Sequence, residues 1–117
     1  MIEKLEHDAN ENTLKWRSGK KTVEVSFACK IVFHLLKDET HLLVVELDKA
    51  SSPDNALILN SDGTKHARIK NPVEGAICFK DGYYVNNDLT LIATLGHLDI
   101  ACVIDMEGRV ERTYETR

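Results

Sequence analysis

Residues 54–69 read DNALILNSDGTKHARI, the clearest hairpin pattern in the chain. An apolar run precedes a Ser-Asp-Gly turn and a strand of mainly polar residues, the order expected of two antiparallel strands joined tightly. The same order returns about 45 residues later in DIACVIDMEGRVERTY, residues 99–114, with Gly63 and Gly108 at equivalent positions. The chain therefore contains a predicted structural repeat.

Short strands separated by turns are predicted along most of the chain. Residues 23–31 alternate between apolar and polar side chains, which predicts one strand with a buried face. Residues 41–48, HLLVVELD, form a continuous apolar run and predict a central strand covered on both faces. Asp81-Gly82 predicts a further turn, whereas residues 1–12 predict a frayed terminus or a short helix.

These patterns predict an all-β, antiparallel protein with little helix. Its 117 residues suit a single domain, 1–117. Two blade-like repeats of about 45 residues, at about 23–70 and 73–114, are expected to form an incomplete β-propeller or a curled sheet. A closed propeller needs about four blades or more, so open edges remain through which two copies could pair as a homodimer.

Cellular location and redox state are suggested by apolar segments and cysteines. No window approaches the roughly 20 apolar residues that cross a bilayer, and the acidic start does not resemble a secretory signal. We expect a cytoplasmic protein with no membrane partner. The cysteines at 29, 78 and 102 each lie in an apolar run, which predicts reduced thiols packed in the core.

The net charge of −4 is distributed unevenly. Residues 38–62 carry acidic side chains and a single cation, Lys49, while residues 81–107 contain no lysine or arginine. Such windows repel nucleic acid and attract a basic partner, mainly by raising the association rate. A solvated acidic surface that only keeps the protein soluble is the alternative explanation.

The side chains that perform catalysis or bind metals do not occur in recognisable motifs. His34 and His41 flank one turn and could face each other, but zinc needs three or four ligands. A serine of residues 51–52 with His97 and Asp99 would make a formal Ser-His-Asp set, yet serines in a Pro-containing loop usually form turns. We predict no enzyme, no metal and no cofactor.

Residues 83–88, YYVNND, have the composition of a protein interface, because exposed tyrosine supplies rigid area and Asn and Asp supply polar contacts. Neighbouring residues of a strand point to opposite faces, so at most one of Tyr83 and Tyr84 is expected in the core. The candidate partner-binding residues are Asp48, Asp54, Asp81, Tyr83, Tyr84, Asp88 and Asp99.

The succession of motifs resembles a group of small bacterial proteins with an incomplete, roughly half β-propeller fold. The resemblance is carried by residues 54–69 with the following Asn71-Pro72, by Phe79-Lys80-Asp81-Gly82, and by the terminal Ile104-Asp105 and Glu107-Gly108 unit. The group includes immunity proteins of contact-dependent growth inhibition and related toxin systems, which bind a cognate toxin domain, in some cases an RNase, and block it. The chain departs from the group at His66 and Ala67, where an aromatic residue is expected, and in a longer segment 86–99.

The resemblance implies an immunity protein that occludes the active site of a cognate toxin domain. The acidic windows extend this expectation to a basic partner, such as a nuclease. The alternative is a β-scaffold module that self-associates through its open edges and has no toxin partner. A small-molecule or hydrolase site is the third possibility.

Overall fold

The computed structural model describes residues 1–47, 53–105 and 107–116, and their regular structure is entirely β. The strands are β1 (Ile2–Asp8), β2 (Thr13–Ser18), β3 (Lys21–Ser26), β4 (Ile31–Asp38), β5 (His41–Glu46), β6 (Ala56–Asn60), β7 (Lys65–Ile69), β8 (Cys78–Val85), β9 (Asp88–Leu95), β10 (Leu98–Ile104) and β11 (Val110–Thr116). Every pairing between them is antiparallel, so the predicted all-β antiparallel class is confirmed. Within the described residues, no helix is long and apolar enough to span a membrane.

The strands form three sheets in which neighbouring strands are also consecutive in the sequence. We name them sheet A (β1–β2–β3), sheet B (β4–β5–β6–β7) and sheet C (β8–β9–β10–β11). Antiparallel pairing allows this simple order, because consecutive strands can pair directly whereas a parallel pair needs a long crossover.

Sheet B lies between the other two sheets. Its central strand β5 directs Leu43 and Val45 into a core shared with sheet C, and Leu42 and Val44 into a core shared with sheet A. All four side chains are fully buried, so the prediction of a strand covered on both faces is confirmed for β5. The stacking order is therefore A, B, C, with a hydrophobic core at each junction.

The A–B core is built around a buried tryptophan. Trp16 and Leu14 lie on the same face of β2 and are almost completely inaccessible to water. The indole Nε1 of Trp16 donates a hydrogen bond to the backbone carbonyl of Ser61 at 2.7 Å, which joins β2 to the turn after β6. A buried indole N–H requires such a partner, because leaving it unpaired costs free energy.

The first glycine turn connects β6 to β7 and packs against sheet A. The amide of Gly63 donates to the carbonyl of Asn60 at 2.9 Å, and the amide of Asn60 donates to the carbonyl of Thr64 at 2.8 Å. Gly63 has a φ of 90°, and a Cβ placed there would lie 2.8 Å from Cγ1 of Val23. Backbone geometry and close packing therefore both require glycine.

The second glycine turn repeats these contacts one sheet further along the stack. The amide of Gly108 donates to the carbonyl of Asp105 at 3.2 Å, and the amide of Asp105 donates to the carbonyl of Arg109 at 2.8 Å. Gly108 has a φ of 85°, and a Cβ there would lie 2.8 Å from Cδ1 of Ile58 in sheet B. Each turn thus packs against the preceding sheet of the stack.

The N-terminal segment is a strand, so the prediction of a frayed terminus or short helix for residues 1–12 is wrong. Ile2 is buried in the A–B core, and its amide donates to the carbonyl of Glu39 at 2.7 Å. A register shift between Glu3 and Glu6, with Lys4 at a φ of 55°, interrupts the alternation of this strand. The bulge interrupts the alternation of apolar and polar side chains by which a strand is recognised in a sequence.

Residues 23–31 are not one strand either. Strand β3 ends at Ser26 and pairs with β2, whereas β4 begins at Ile31 and pairs with β5. The segment between them carries the chain from sheet A to sheet B. Its apolar alternation continues because Phe27 also packs against the A–B core, and this continuity concealed the break.

The predicted turn at Asp81-Gly82 is wrong, because both residues lie inside β8. A bulge leaves an extra residue between the pairs Phe79–Ala93 and Asp81–Ile92. A Cβ on Gly82 would lie 2.8 Å from Cζ of Phe33 in sheet B, so this glycine marks a close approach of two sheets.

The turn that reverses the chain after β8 is formed by Asn86 and Asn87. Their φ values are 49° and 70°, and Val85 pairs with Asp88 across them. Two successive residues with positive φ are characteristic of a type I′ hairpin turn, for which asparagine is favoured.

The three cysteines are free thiols with different degrees of burial. Cys102 is fully buried in the B–C core, where burial raises the pKa of its thiol to about 11. Cys29 and Cys78 are half-buried. The prediction of core thiols is therefore confirmed for Cys102, while the other two thiols are only partly buried.

Candidate protein-binding site

The face of sheet C that points away from sheet B is the candidate binding surface. Leu89, Leu91 and Ala93 of β9 enter the B–C core, so the alternate residues Thr90 and Ile92 point to the opposite side. We call this side the outer face of sheet C. Its cross-strand rows are Tyr83–Thr90–Val103–Arg112, Asp81–Ile92–Ala101–Tyr114 and Cys78–Thr94–Asp99–Thr116.

The centre of the outer face is apolar and closely packed. Thr90, Ile92, Ala101 and Val103 are each at most 4% exposed, yet they belong to neither core cluster of the described residues. The hydroxyl of Thr90 donates to the carbonyl of Asp88 at 3.1 Å, so the polar group within this patch is satisfied. We call these four side chains the apolar floor; their neighbours on the same face cover them almost completely, so they support the exposed side chains around them and offer little contact area themselves.

Two tyrosines stand at opposite sides of this floor. Tyr83 on β8 is 43% exposed and Tyr114 on β11 is 42% exposed. Strands β8 and β11 are the two edges of sheet C, with β9 and β10 between them. Exposed tyrosines are among the residues that contribute most to the affinity of protein interfaces.

Three of the predicted acidic residues also lie on the outer face, but two of them are paired with cations. Oδ1 of Asp99 forms a salt bridge with Nζ of Lys80 at 2.8 Å, and Oδ2 of Asp88 lies 3.4 Å from Nη2 of Arg112. Asp81 accepts the amide of the next residue at 2.8 Å and forms no salt bridge with a described residue. The structure thus reduces the negative field that the sequence alone suggested.

Tyr84 points to the opposite side of β8, so the two tyrosines have different surroundings. Its hydroxyl donates to the carbonyls of Leu36 and Lys37 at 2.6 and 3.0 Å, which ties sheet C to the end of β4. Burial raises the pKa of the Tyr84 phenol, and the negative charge of Asp38 raises it further. Neither tyrosine belongs to a hydrophobic core, and Tyr84 connects two sheets.

The remaining predicted residues lie elsewhere. Oδ1 of Asp54 accepts the amide of Asn71 at 2.7 Å, and the Asp54 carbonyl accepts Nη1 of Arg68 at 2.9 Å. These contacts order the chain on both sides of β6 and β7. Asp48 and residues 51–52 lie outside the described residues.

A second charged surface lies on sheet A and was missed by sequence reasoning. A pocket of about 380 Å³ lies on the side of sheet A opposite the A–B core. It is lined by Glu6, Asp8, Glu11, Thr13, Lys15, Glu24 and Ser26. Four of these side chains are acidic and one is basic. The alternation of Lys15 and Glu24 with more buried residues indicated the part of this surface that lies on β2 and β3. The bulge in β1 hid the alternation that places Glu6 and Asp8 on the same face.

The histidines form two pairs that differ from the predicted one. His34 lies against His7 with ring centroids 5.5 Å apart, and His41 lies against His66 at 4.7 Å. The expectation that His34 and His41 face each other is wrong, because β4 pairs His34 with Val44 in the hairpin register. Among residues 1–47, 53–105 and 107–116, no cluster of three or more metal-ligating side chains occurs.

Local charge and burial shift the pKa values of His34 and of Asp38, the carboxylate beside His41. Burial lowers the pKa of His34, and the positive charge of His7 lowers it further. Nδ1 of His41 lies 2.9 Å from Oδ1 of Asp38. For the carboxyl of Asp38, desolvation alone would raise the pKa, but hydrogen bonds from Thr40 and His41 lower it overall.

No family model matches the chain, and neither a curated protein nor a solved structure matches it. The geometry of the two outer surfaces is therefore the basis for assigning a function.

Proposed function

We propose that this protein is a non-catalytic binding protein of the immunity type, which neutralises a cognate bacterial toxin domain in the cytoplasm by covering its active site. The observation that carries the proposal is the outer face of sheet C. The exposed rings of Tyr83 and Tyr114 lie there on either side of the buried apolar floor. Such a surface provides rigid aromatic anchors without requiring the backbone to order on binding.

The architecture supports a terminal binding face. We infer that sheets B and C are two blade-like repeats and that sheet A is a shorter third layer of an incomplete propeller. The same strand order in sheets B and C supports this inference, as do the matching turns at Gly63 and Gly108. A closed propeller covers both faces of every blade, whereas an open stack leaves an outer face at each end.

The mechanism follows from the chemistry of this face. The tyrosine rings lose water against the partner and contribute most of the affinity, while the Lys80–Asp99 and Arg112–Asp88 pairs form a polar rim. Inhibition is steric, since the bound protein occupies the approach to the toxin's active site. No step requires a nucleophile, a metal ion or a cofactor.

Electrostatic attraction raises the rate of association with a basic partner such as a nuclease. Asp81 is the predicted acid on the outer face that has no salt bridge to a described residue. The acidic pocket of sheet A adds a negative field at the other end of the stack. Fields of this kind accelerate encounter more than they increase affinity, and salt screens them.

Self-association through the open sheet edges is the competing function, and it would make the chain a scaffold module. The edge strand β7 carries Lys65 and Arg68, and the edge strand β11 carries Arg112. Charged side chains on edge strands discourage pairing between copies. We therefore favour a heterologous partner over a homodimer.

Co-expression with the product of the reading frame immediately upstream tests the proposal. We expect an equimolar complex and protection of the host cells from growth arrest. The double variant Y83A/Y114A should weaken binding about a hundredfold, since each ring is an expected anchor. Tyr84→Phe is the matched control, because its hydroxyl contacts sheet B, and it should bind like the wild type.

Two outcomes would overturn the proposal. One is a concentration-dependent homodimer with no binding by the upstream product, which supports the scaffold function. The other is a complex whose affinity is the same for Y83A/Y114A and the wild type, which removes the outer face of sheet C from the interface. Circular dichroism of each variant separates loss of binding from loss of fold.

A further inference from the structure

A groove of about 510 Å³ lies between the edge strand of sheet B and the second glycine turn, and we call it the β7 groove. Arg68, Lys70 and Pro72 lie on one side of it. Gly108, Arg109 and Val110 lie on the other. The groove is separate from the outer face of sheet C, because it runs along the edges of sheets B and C.

Hydrogen bonds hold both walls of the β7 groove in place. On the first wall, the amide of Asn71 donates to Oδ1 of Asp54 at 2.7 Å. On the second wall, Oδ1 of Asp105 accepts the amides of Glu107 and Arg109, each at 2.9 Å. A ligand would therefore meet a preformed surface, which lowers the ordering cost of binding.

The charge of the groove is opposite to the net charge of −4 on the whole chain. The cations Arg68, Lys70 and Arg109 face the single acid Glu107. Arg68 is partly compensated by Oε1 of Glu46 at 3.2 Å. Lys70 and Arg109 form no salt bridge with a described residue. The pKa of the Asp105 carboxyl is lowered mainly by the hydrogen bond from the Arg109 amide, and the positive charge of Arg109 lowers it further.

The backbone of β7 adds a second kind of binding capacity. β7 is the terminal strand of sheet B, so the N–H and C=O groups on its outward side have no neighbouring strand in that sheet. An extended peptide can add to such an edge through main-chain hydrogen bonds, while side-chain pockets select its sequence. Ala67, Pro72 and Val110 provide apolar contact beside the cations.

We propose that the β7 groove binds an extended acidic peptide segment of a partner protein. The segment lies along β7, with Asp or Glu carboxylates near Lys70 and Arg109. Charge complementarity selects the acidic side chains, and the open strand edge selects an extended backbone. The proposal does not rest on toxin binding by sheet C, because the two surfaces share no residue.

A fluorescently labelled oligoglutamate peptide tests this inference by anisotropy at low salt, with an oligolysine peptide as the opposite-charge comparison. We expect the oligoglutamate peptide to bind and the charge reversal K70E/R109E to weaken binding about tenfold or more. The matched control K20E/K21E changes two exposed lysines at the turn between β2 and β3. It should bind like the wild type.

Amide chemical shifts locate the peptide independently of the variants. Perturbations should concentrate at Ala67, Lys70 and Arg109. Absence of oligoglutamate binding, or equal weakening in both double variants, would overturn the inference. Tighter binding of single-stranded oligo-dT at the same amides would also overturn it, since that result assigns the groove to phosphate groups.

Discussion

The indole of Trp16 and the carbonyl of Ser61 are joined by a hydrogen bond of 2.7 Å between sheet A and the glycine turn of sheet B. Gly63 in that turn meets Val23 of sheet A, so backbone and side-chain contacts coincide at one junction. The next junction repeats the close turn contact, with Gly108 against Ile58. At both junctions of the stack, a glycine turn thus packs closely against the preceding sheet.

Replacing the tryptophan tests the first junction. Trp16→Phe removes the hydrogen bond and part of the ring volume in a site that is 1% exposed. We expect the free energy of unfolding to fall by about 2–3 kcal/mol, because a cavity and an unpaired carbonyl are both created. Urea unfolding of the variant and the wild type measures the difference, and an unchanged midpoint would contradict this role.

Gly82→Ala tests the close approach of sheets B and C. The added methyl group would lie 2.8 Å from Cζ of Phe33 and 2.9 Å from Cδ2 of Leu91. Overpacking of this kind should destabilise the protein by about 1–3 kcal/mol. Gly19→Asn is the control, because nothing lies within 4 Å of its Cβ position and asparagine tolerates positive φ. Equal stability of both variants in thermal melts would refute the packing explanation.

The His7–His34 pair predicts a loss of stability in mild acid. Burial lowers the pKa of His34 below 6.5, so the unfolded chain binds this proton more readily than the folded protein. The contribution of neutral His34 to the free energy of unfolding is therefore complete above about pH 6.5 and decreases as the pH falls below that value. Urea midpoints measured from pH 7.5 to pH 5 should fall less for His34→Gln than for the wild type.

His97→Gln is the control for this pH series, because His97 lies in an exposed turn. It should retain the wild-type pH dependence. Identical slopes for His34→Gln and the wild type would contradict the assignment to His34.

The carboxyl of Asp38 affects stability in a separate pH range. Its lowered pKa stabilises the fold above about pH 3.8, and this contribution is lost at lower pH.

The salt bridges on sheet C predict unequal effects of acidic residues on association with a basic toxin domain. Asp81→Lys should slow association more than Asp99→Lys, because the charge of Asp99 is already compensated by Lys80 at 2.8 Å. The difference should shrink as salt is added. Stopped-flow rates at low and high salt measure this, and equal rates for both variants would argue against the electrostatic contribution.

The sequence predicted the regular elements that a simple pattern of apolar residues or a tight turn marks. The apolar run of β5 and the hairpin around Gly63 follow from the continuous run of apolar residues and from turn chemistry. The bulged strands β1 and β8 were misread, since an extra residue shifts the alternation and makes Asp81-Gly82 look like a turn.

The candidate surface could be predicted only in part for a similar reason. Alternation establishes that Tyr83 and Tyr84 point to opposite faces, but which one contacts sheet B depends on the stacking of the sheets. The pairing of Lys80 with Asp99 joins residues of β8 and β10 that are not neighbours in sequence or strand order. Compensation of this kind requires the three-dimensional arrangement.

The most direct test of the central claim is an amide chemical-shift map of the isotope-labelled protein with and without the toxin domain encoded upstream. Shifts concentrated at Tyr83, Ile92, Val103 and Tyr114, with little change on sheet A, are the predicted result. Shifts confined to the sheet A pocket or to the edge of β7, with the outer face of sheet C unchanged, would contradict it.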